Sequence, residues 1–483
     1  MRNRLTHWPL CLLLGFAAAA ASQAADGKNR DGKDKLPDAP RVNAELLSEI
    51  AQAAPAARMA ANAPQTEPAT QGSPASPRLT LHEAEQMAIQ HNPRISVSKL
   101  MALAQHQVVR ETRSAELPTG TAALTAVQAQ DASRISAGAL TASRLFEHAG
   151  AGGGFTQLIT DFGRTGNLVA WAKLQEKAQD ANALATTEDI VLATDQAFYT
   201  ALEAQALLRV AQQNTQNRQT TDNQVSAYTK SKLKSTLDLS FADVNLSQAR
   251  LLELDAKDNA DSSMAALDAV LGLDHLVNYE LAGDEGPLSA PPADAAELVQ
   301  TALEQRPDLR ALNYEQQAAV RFSHAERGQM LPSISASGTV GSVPIRPAQY
   351  YENNWWGGIG VNMKIPVFNG FLYSAQAKEA SIRAEAAAEQ ARDLRDRIVR
   401  DVRTAWLAAN TAYQRVSVSE ALLAQANLAL GLAQTRYDLG LSSIVELSQA
   451  QYQQTDAAMG NTNAQYQYRL SLATLNYQIG AIQ

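Results

Sequence analysis

The feature that most constrains the fold is a long stretch, Phe371 to Tyr437, with no proline and one glycine, Gly431. At ~1.5 Å per residue, a helix of that length is about 100 Å long. Small or apolar residues recur every seven positions in two companion series: Val402, Ala409, Val416, Leu423, Leu430 and Tyr437, and Ile398, Ala405, Ala412, Ser419, Ala426 and Ala433. This repeat predicts a left-handed supercoil with closely packed neighbours. Such a helix cannot fold into one globule, so it needs partners from the rest of the chain and from other chains.

The chain is also internally repeated. "AIQHNPRIS" at 88–96 matches "ALEQRPDLR" at 302–310, and "LITDFG" at 158–163 matches "KIPVFNG" at 364–370 through Phe162 and Phe368. Such spacing is typical of a duplicated unit. We predict two copies, 79–272 and 293–480, joined by a Gly/Pro-bearing linker at 273–292 and followed by a short tail at 481–483. Each copy is predicted as helix, strand, strand, long helix, turn and helix.

Period-two alternation predicts strands near the centre of each copy, at about 119–130, 152–160, 332–343 and 357–366. In the last one, Ile359, Val361, Met363 and Ile365 share one side, and Gly358, Gly360, Asn362 and Lys364 share the other. Four strands are too few to close a barrel, so several chains would have to contribute. The apolar faces would then meet lipid.

Four aromatic residues precede or begin the last strand: Tyr350, Tyr351, Trp355 and Trp356. This is where the aromatic belt of a membrane barrel would lie. A soluble sheet with ordinary core aromatics is the alternative that the strands alone leave open.

The N-terminus predicts export. Arg2 and Arg4 precede the apolar run Leu10 to Ala21, and Ser22-Gln23-Ala24 resembles a cleavage site. We therefore assign 1–24 as a signal peptide, and 25–78 as a disordered Ala/Pro-rich leader. The only cysteine, Cys11, lies in the signal peptide, so no acylated cysteine remains. We expect no later stretch to form an apolar membrane helix, which leaves a closed barrel as the route across a membrane.

Nothing in the sequence predicts an enzyme or a nucleic-acid partner. The net charge is -8, and the seven histidines show no HExxH spacing. There is no GxSxG, P-loop or GxGxxG motif, and we interpret Gly152 to Gly154 as a loop or a close approach of strands. We expect no catalytic residues, no metal and no cofactor.

The helix–helix turns differ between the two copies. In "YDLGLSS", Gly440 predicts a helix end, and Ser443 followed by Glu446 resembles a capping box. The first copy has no glycine at this place and carries Lys230, Lys232 and Lys234. These lysines are either a solvated surface or a contact site for a partner protein.

The whole plan over 79–480 resembles the TolC-type outer-membrane efflux and secretion channels. The resemblance is carried by "ALEQRPDLR", "LPSISASGTVG", "VNMKIPVFNGFLYSAQ" and "TRYDLGLSSIVELSQAQ". It implies a mainly α-helical homotrimer in which long coiled-coil helices form a periplasmic tunnel. Four strands per chain would complete a 12-stranded β-barrel in outer-membrane lipid. The implied function is the passive exit channel of a tripartite efflux or type I secretion system, with a periplasmic adaptor and an inner-membrane transporter as partners.

Residue roles follow from the resemblance alone. Asp238 and Glu446 would narrow the periplasmic mouth, with Tyr437 as a latch. The family's further aspartate and latch arginine correspond to Gln449 and Ser442, so the network is expected to be rearranged. The lysines named above, Gly440 and Ser443 would form adaptor-contacting tips, and the strand-to-helix transitions would lie at Pro366, Phe368, Gly370, Phe162 and Gly163.

Two other classes of protein stay open at this point. A periplasmic adaptor would carry one helical hairpin flanked by β segments, whereas hairpins occur twice here. A structural coiled-coil surface protein would not need paired strands at the centre of each repeat.

Overall fold

The computed structural model describes residues 78–128, 134–137, 140–144, 148–273, 279–283, 286, 288–342 and 355–481. All of them lie in one compact unit, Pro74–Gln483. The predicted signal peptide and nearly all of the predicted leader fall outside the described residues. So do Tyr350, Tyr351 and part of the predicted linker.

The described helices form two sets of four with equal lengths. The sets are α1 Leu81–His91, α2 Pro93–Ser114, α3 Arg164–Lys230 and α4 Thr236–Leu271, then α5 Ala295–Gln305, α6 Pro307–Gly328, α7 Leu372–Asp438 and α8 Ile444–Ile479. Both sets run 11, 22, 67 and 36 residues. The equal lengths support a duplication, while the domain boundaries stay a prediction.

Local sequence explains where helices begin and end. Thr80 caps α1 in a reciprocal box with Glu83, and Asn92 caps α2, whose first residue is Pro93. Gly272 ends α4 at a φ of 78°, and a Cβ there would lie 2.9 Å from the carbonyl oxygen of His91. Glycine is therefore required both for the left-handed turn and for close packing against the junction of α1 and α2.

The strands form one central sheet and two small ones. The strands are β1 Arg78–Leu79, β2 Thr119–Val127, β3 Arg134–Ala137, β4 Leu140–Arg144, β5 His148–Thr160, β6 Glu280–Leu281, β7 Ser333–Ser342 and β8 Trp355–Lys364. The central sheet is antiparallel in the order β2-β5-β7-β8, while β1 pairs with β6 and β3 with β4. The β5–β7 pair joins the two repeats through backbone hydrogen bonds.

The strand prediction was right for the central sheet and incomplete elsewhere. The four short strands β1, β3, β4 and β6 were missed, because each has at most five residues and no alternating pattern. The glycines 152–154 lie inside β5, so the loop interpretation was wrong. The close-approach interpretation agrees with the packing, since a Cβ on Gly152 would lie 3.2 Å from the Val340 carbonyl oxygen.

The central sheet has two chemically different faces. Directly paired residues share a face, so the register places Phe155, Gly338 and Ile359 in one row of a mainly apolar face, and Gln157, Ala336 and Val361 in the next row on that side. The opposite face carries mainly hydroxyl, amide, glycine and lysine side chains from three strands: Gly154, Thr156, Ser333, Ser335, Ser337, Thr339, Gly358, Gly360, Asn362 and Lys364. The predicted alternation in β8 thus extends across neighbouring strands.

The helices pack side by side in the same order as the strands to which they connect. α2 packs on α3, α3 on α6, and α6 on α7, so the four helices form one wall below the four strands. α4 returns along α3, and α8 returns along α7. Most of the predicted seam of α7 is buried, including Ile398, Val402, Ala409 and Val416, which is the packing that the seven-residue repeat predicts.

One described helix could cross a membrane by length and composition alone. It is α7, in which an 18-residue window has a mean hydropathy of 1.3 and is 17% buried. This differs from the expectation that no such stretch exists. The same helix has an alanine-rich buried seam and also exposes Val418, Leu422 and Leu432. Its hydropathy therefore has a second explanation, namely packing on neighbouring helices.

Candidate gate at the hairpin tips

The turns α3–α4 and α7–α8 have the same backbone geometry despite their different sequences. The Leu233 N–H donates to the Tyr228 carbonyl oxygen at 2.8 Å, and the Leu441 N–H donates to the Arg436 carbonyl oxygen at 2.8 Å. Lys232 has a φ of 60°, where the second turn has Gly440 at 71°. The first turn therefore does not need the glycine that its sequence lacks, although a left-handed lysine costs about 1–2 kcal/mol.

Tyr437 lies where the two hairpins meet. It is 3% exposed and packs in a cluster with Val225 of α3, Ala242 of α4 and Leu447 of α8. The Lys234 ammonium lies 4.3 Å from the centre of its ring. Burial raises the pKa of Tyr437, and the nearby Asp238 raises it further.

The Tyr437 hydroxyl has no hydrogen-bond partner among the described residues. Its ring, rather than its hydroxyl, therefore holds the hairpin contact. Lys234, predicted as part of the tip, places its charge against this ring. Lys230 and Lys232 are exposed at the tip.

Asp238 and Glu446, the two carboxylates predicted at the mouth, have different partners. Asp238 completes a capping box with Ser235, accepting from the Ser235 N–H at 3.1 Å. Ser443 accepts from the Glu446 N–H at 3.4 Å, but the Glu446 carboxylate pairs instead with Arg436 at 3.2 Å. The predicted box at Ser443 and Glu446 is thus only half formed.

The two departures from the family occupy different surroundings. Ser442, at the position of the family's latch arginine, has a buried hydroxyl without a partner among the described residues. Gln449 is exposed. Neither side chain carries a charge.

A buried polar layer, which sequence reasoning missed, joins the two hairpins within one chain. Arg218 of α3 is 7% exposed and donates to the side-chain oxygen of Gln451 on α8. Gln451 in turn donates to Thr221 at 3.2 Å, and Thr455 donates to Asn214 at 3.0 Å. No carboxylate pairs with Arg218 among the described residues, and burial lowers the pKa of its guanidinium. The sequence feature that could have indicated this layer is Arg218 itself, a basic residue in a seven-residue series that otherwise consists mostly of alanines.

Two titratable carboxyls are buried on α3 further from the tips. Burial raises the pKa of Glu188 to about 7, with Asp308 adding to the increase. Burial also raises the pKa of Asp195 to about 7, and Glu85 of α1 adds to it. Among the described residues, no group of three or more His, Cys, Asp or Glu side chains could hold a metal ion.

The strand-to-helix transitions each use two left-handed residues in succession. Phe162 and Gly163 have φ values of 55° and 95°, and Gly370 and Phe371 have 64° and 65°. Phe162 therefore corresponds structurally to Gly370, and Gly163 to Phe371, so the sequence match of Phe162 with Phe368 was two residues out of register. The glycine and the phenylalanine have exchanged places between the repeats.

The transitions and the start of β8 are rich in exposed apolar side chains. The ring of Phe368 packs edge-on against that of Phe371 with their centres 5.7 Å apart, and both residues are exposed, as are Phe162, Ile365 and Val367, while Pro366 is half-buried. At the other end of β8, Trp355 and Trp356 are also exposed. They are the first residues of the strand, not part of the connection before it.

Comparisons with known proteins agree with this architecture. Residues 298–481 match the family described as outer membrane efflux protein. The outer membrane protein TolC of Salmonella enteritidis is 23% identical over 338 residues, which cover 68% of each chain. That of Vibrio cholerae serotype O1 is 25% identical over 331 residues, covering 65% of this chain and 74% of that protein.

Solved structures share the fold. CusC, described as a transmembrane channel, superposes with a TM-score of 0.72 at 17% identity, covering 83% of this chain and 92% of that chain. The outer membrane protein VceC from Vibrio cholerae gives 0.70 at 18% identity, covering 83% and 96%. The open state of the Neisseria gonorrhoeae MtrE outer membrane channel gives 0.71 at 19% identity, covering 83% and 88%. The resemblance to TolC-type outer-membrane efflux channels and the outer-membrane location are therefore confirmed, and residues 298–481 match the outer membrane efflux protein family.

Proposed function

We propose that three copies of this chain form an outer-membrane exit channel for efflux, working with a periplasmic adaptor and an inner-membrane transporter. The observation that carries this proposal is the central sheet, which has a mainly apolar face, a polar face and two edges, β2 and β8, that pair with no further strand among the described residues. An open edge exposes unpaired N–H and C=O groups, which lipid cannot satisfy. Other copies would pair both edges, and three copies would give twelve strands.

Apolar stripes on the helices support the same assembly. α4 exposes apolar side chains at spacings of three, four and seven residues: Leu237, Phe241, Val244 and Leu251. α7 exposes a second set: Leu407, Val418, Leu422, Leu428 and Leu432. Extended apolar surface of this kind marks a protein interface. In the proposed assembly these stripes pack against the next copy.

The hairpin tips fit the role of an adaptor-binding end. Leu233, Leu439 and Leu441 are about seven-tenths exposed, and Lys230 and Lys232 lie beside the first of them. Apolar side chains rimmed by charge are typical of sites that bind another protein. We propose that an adaptor separates the hairpins by binding here and that the Tyr437 cluster resists this separation.

Asp238 and Glu446 would contribute two carboxylates per copy to the mouth. A ring of carboxylates concentrates cations and gives a channel cation preference. The capping role of Asp238 and the Arg436 partner of Glu446 fix the two groups at the first turns of α4 and α8. We therefore propose a cation-preferring constriction that is held partly shut by helix packing.

Channel recording of the purified protein in planar bilayers tests the proposal. We expect cation-selective conductance from trimers, and lower selectivity when Asp238→Asn is combined with Glu446→Gln. The matched control is Glu253→Gln with Asp255→Asn, two acids of α4 far from the tip. Intact trimers without conductance would contradict the channel, and unchanged selectivity in the mouth variant would contradict the constriction alone.

A further inference from the structure

A basic groove lies between α3 and α6. Its volume is about 620 Å³, and its lining includes Lys173 and Lys177 of α3, and Arg321 and His324 of α6. Among the described residues, no acidic side chain lines it. We call this cleft the basic groove, and these four residues its basic lining.

The charges of the basic groove are not compensated locally. All four side chains belong to exposed residues, and none makes an ion pair within the described part of the chain. Lys177 lies 5.8 Å above the ring of Tyr314, while the neighbouring Glu176 is held by His106 at 2.6 Å. This positive patch contrasts with the chain's net charge of -8.

The groove lies just below the end of the sheet. α3 begins beside the end of α6, since a Cβ on Gly328 would lie 2.9 Å from the Arg164 Cβ. At ~1.5 Å per residue, Lys173 is about 14 Å below this point and Arg321 about 10 Å. Helical side chains lean toward the helix N-terminus, so the α3 lysines lean toward the membrane end. A long basic side chain can bring its charge up to the headgroups from this depth.

The groove faces away from the proposed lumen. Lys173 and Lys177 precede Val191 and Asp195 by 18 residues, which is five helical turns, so they share that face of α3. Val191 and Asp195 line a cavity together with Leu81 and Glu85 of α1. α1 is not part of the four-helix wall, and an open channel requires it to lie outside. The wall edges α2 and α7, not this groove, would meet other copies.

We propose that the basic groove binds the phosphate headgroups of anionic phospholipids in the leaflet next to the helices. The inference rests on the proposed membrane channel. Basic residues beside an anionic membrane surface each contribute about 1 kcal/mol, and the effect extends about one Debye length. The groove would fix the depth and rotation of each chain in the bilayer through charge, in addition to the exposed apolar side chains of the strand-to-helix transitions above it.

Native mass spectrometry of the detergent-solubilised protein, titrated with phosphatidylglycerol, tests this proposal. The test variant combines Lys173→Gln, Lys177→Gln and Arg321→Gln, and the matched control combines Arg209→Gln, Lys257→Gln and Arg415→Gln, three exposed basic residues far from the sheet. At low salt we expect the test variant to lose on the order of 100-fold in phosphatidylglycerol affinity, the equivalent of ~3 kcal/mol from three contacts. The control variant should keep wild-type affinity.

Two results would overturn the lipid site. One is equal phosphatidylglycerol affinity in wild type, test and control variants. The other is unchanged lipid binding together with altered conductance for anionic solutes, which would place the groove in the lumen. Oligomeric state and conductance of the wild type, measured on the same preparation, separate a failure of this inference from a failure of the proposed channel.

Discussion

Replacing Arg218 with methionine should loosen the contact between the two hairpins. The Gln451 side chain is 9% exposed and would lose the donor to its oxygen. A buried acceptor left unsatisfied costs about 1–3 kcal/mol, whereas deleting both partners of a buried pair is nearly neutral. Burying the charged Arg218 guanidinium costs free energy in the folded state, and the methionine variant no longer has this cost.

The double variant Arg218→Met with Gln451→Leu should therefore recover most of the loss. Thr221 would keep a partner, because its hydroxyl also donates to the Asn217 carbonyl oxygen at 3.1 Å. We expect the single Arg218→Met variant to raise local opening of α8 roughly 5- to 150-fold, and the double variant to return to within about 1 kcal/mol of wild type.

Hydrogen exchange of the α8 amides near Gln451 measures this opening. The control is Arg209→Met, an exposed arginine on the same helix. If Arg218→Met exchanges no faster than Arg209→Met, the polar layer does not hold the hairpins together. If the double variant exchanges as fast as the single one, the loss comes from packing and not from the orphaned acceptor.

Three further predictions concern the sheet, the latch and pH. Val361→Arg should cost about 2–4 kcal/mol of assembly, and Asn362→Arg should cost little, as judged by trimer yield in mild detergent; equal tolerance would place the strand outside a membrane. Tyr437→Phe should leave thermal stability nearly unchanged because the Tyr437 hydroxyl has no hydrogen-bond partner in the part of the chain that the structure describes, whereas Tyr437→Ala should cost about 3–5 kcal/mol. Glu188 and Asp195 have pKa values raised to about 7, so their stabilising effect is complete at low pH and is lost as pH rises through 7. Thermal unfolding from about pH 5 to about pH 8 should show a smaller decrease in stability for Glu188→Gln with Asp195→Asn than for wild type.

The sequence predicted the long helices and the central strands because their patterns extend over many residues. The seven-residue series through Val402 and Ala409 and the alternation through Ile359 and Val361 each repeat often enough to exclude chance. The short strands β1 and β6 have two residues each and form only because distant segments meet, so no local pattern marks them.

The local chemistry of the gate was less predictable. Tyr437 was named from the family resemblance, but its contact with Lys234 depends on how two distant hairpins pack. The Arg218–Gln451 bond joins residues 233 positions apart. The strand-to-helix transitions were also hard to predict from the sequence. Phe162 and Phe371 adopt left-handed conformations there, which phenylalanine rarely does.

The central claim is that the open sheet is completed by other copies of the chain in the outer membrane. Native mass spectrometry of the protein extracted from outer-membrane fractions in mild detergent tests it most directly. We predict a single dominant species of three chains. A soluble monomer, recovered from the periplasm with none in the membrane fraction, would contradict the account.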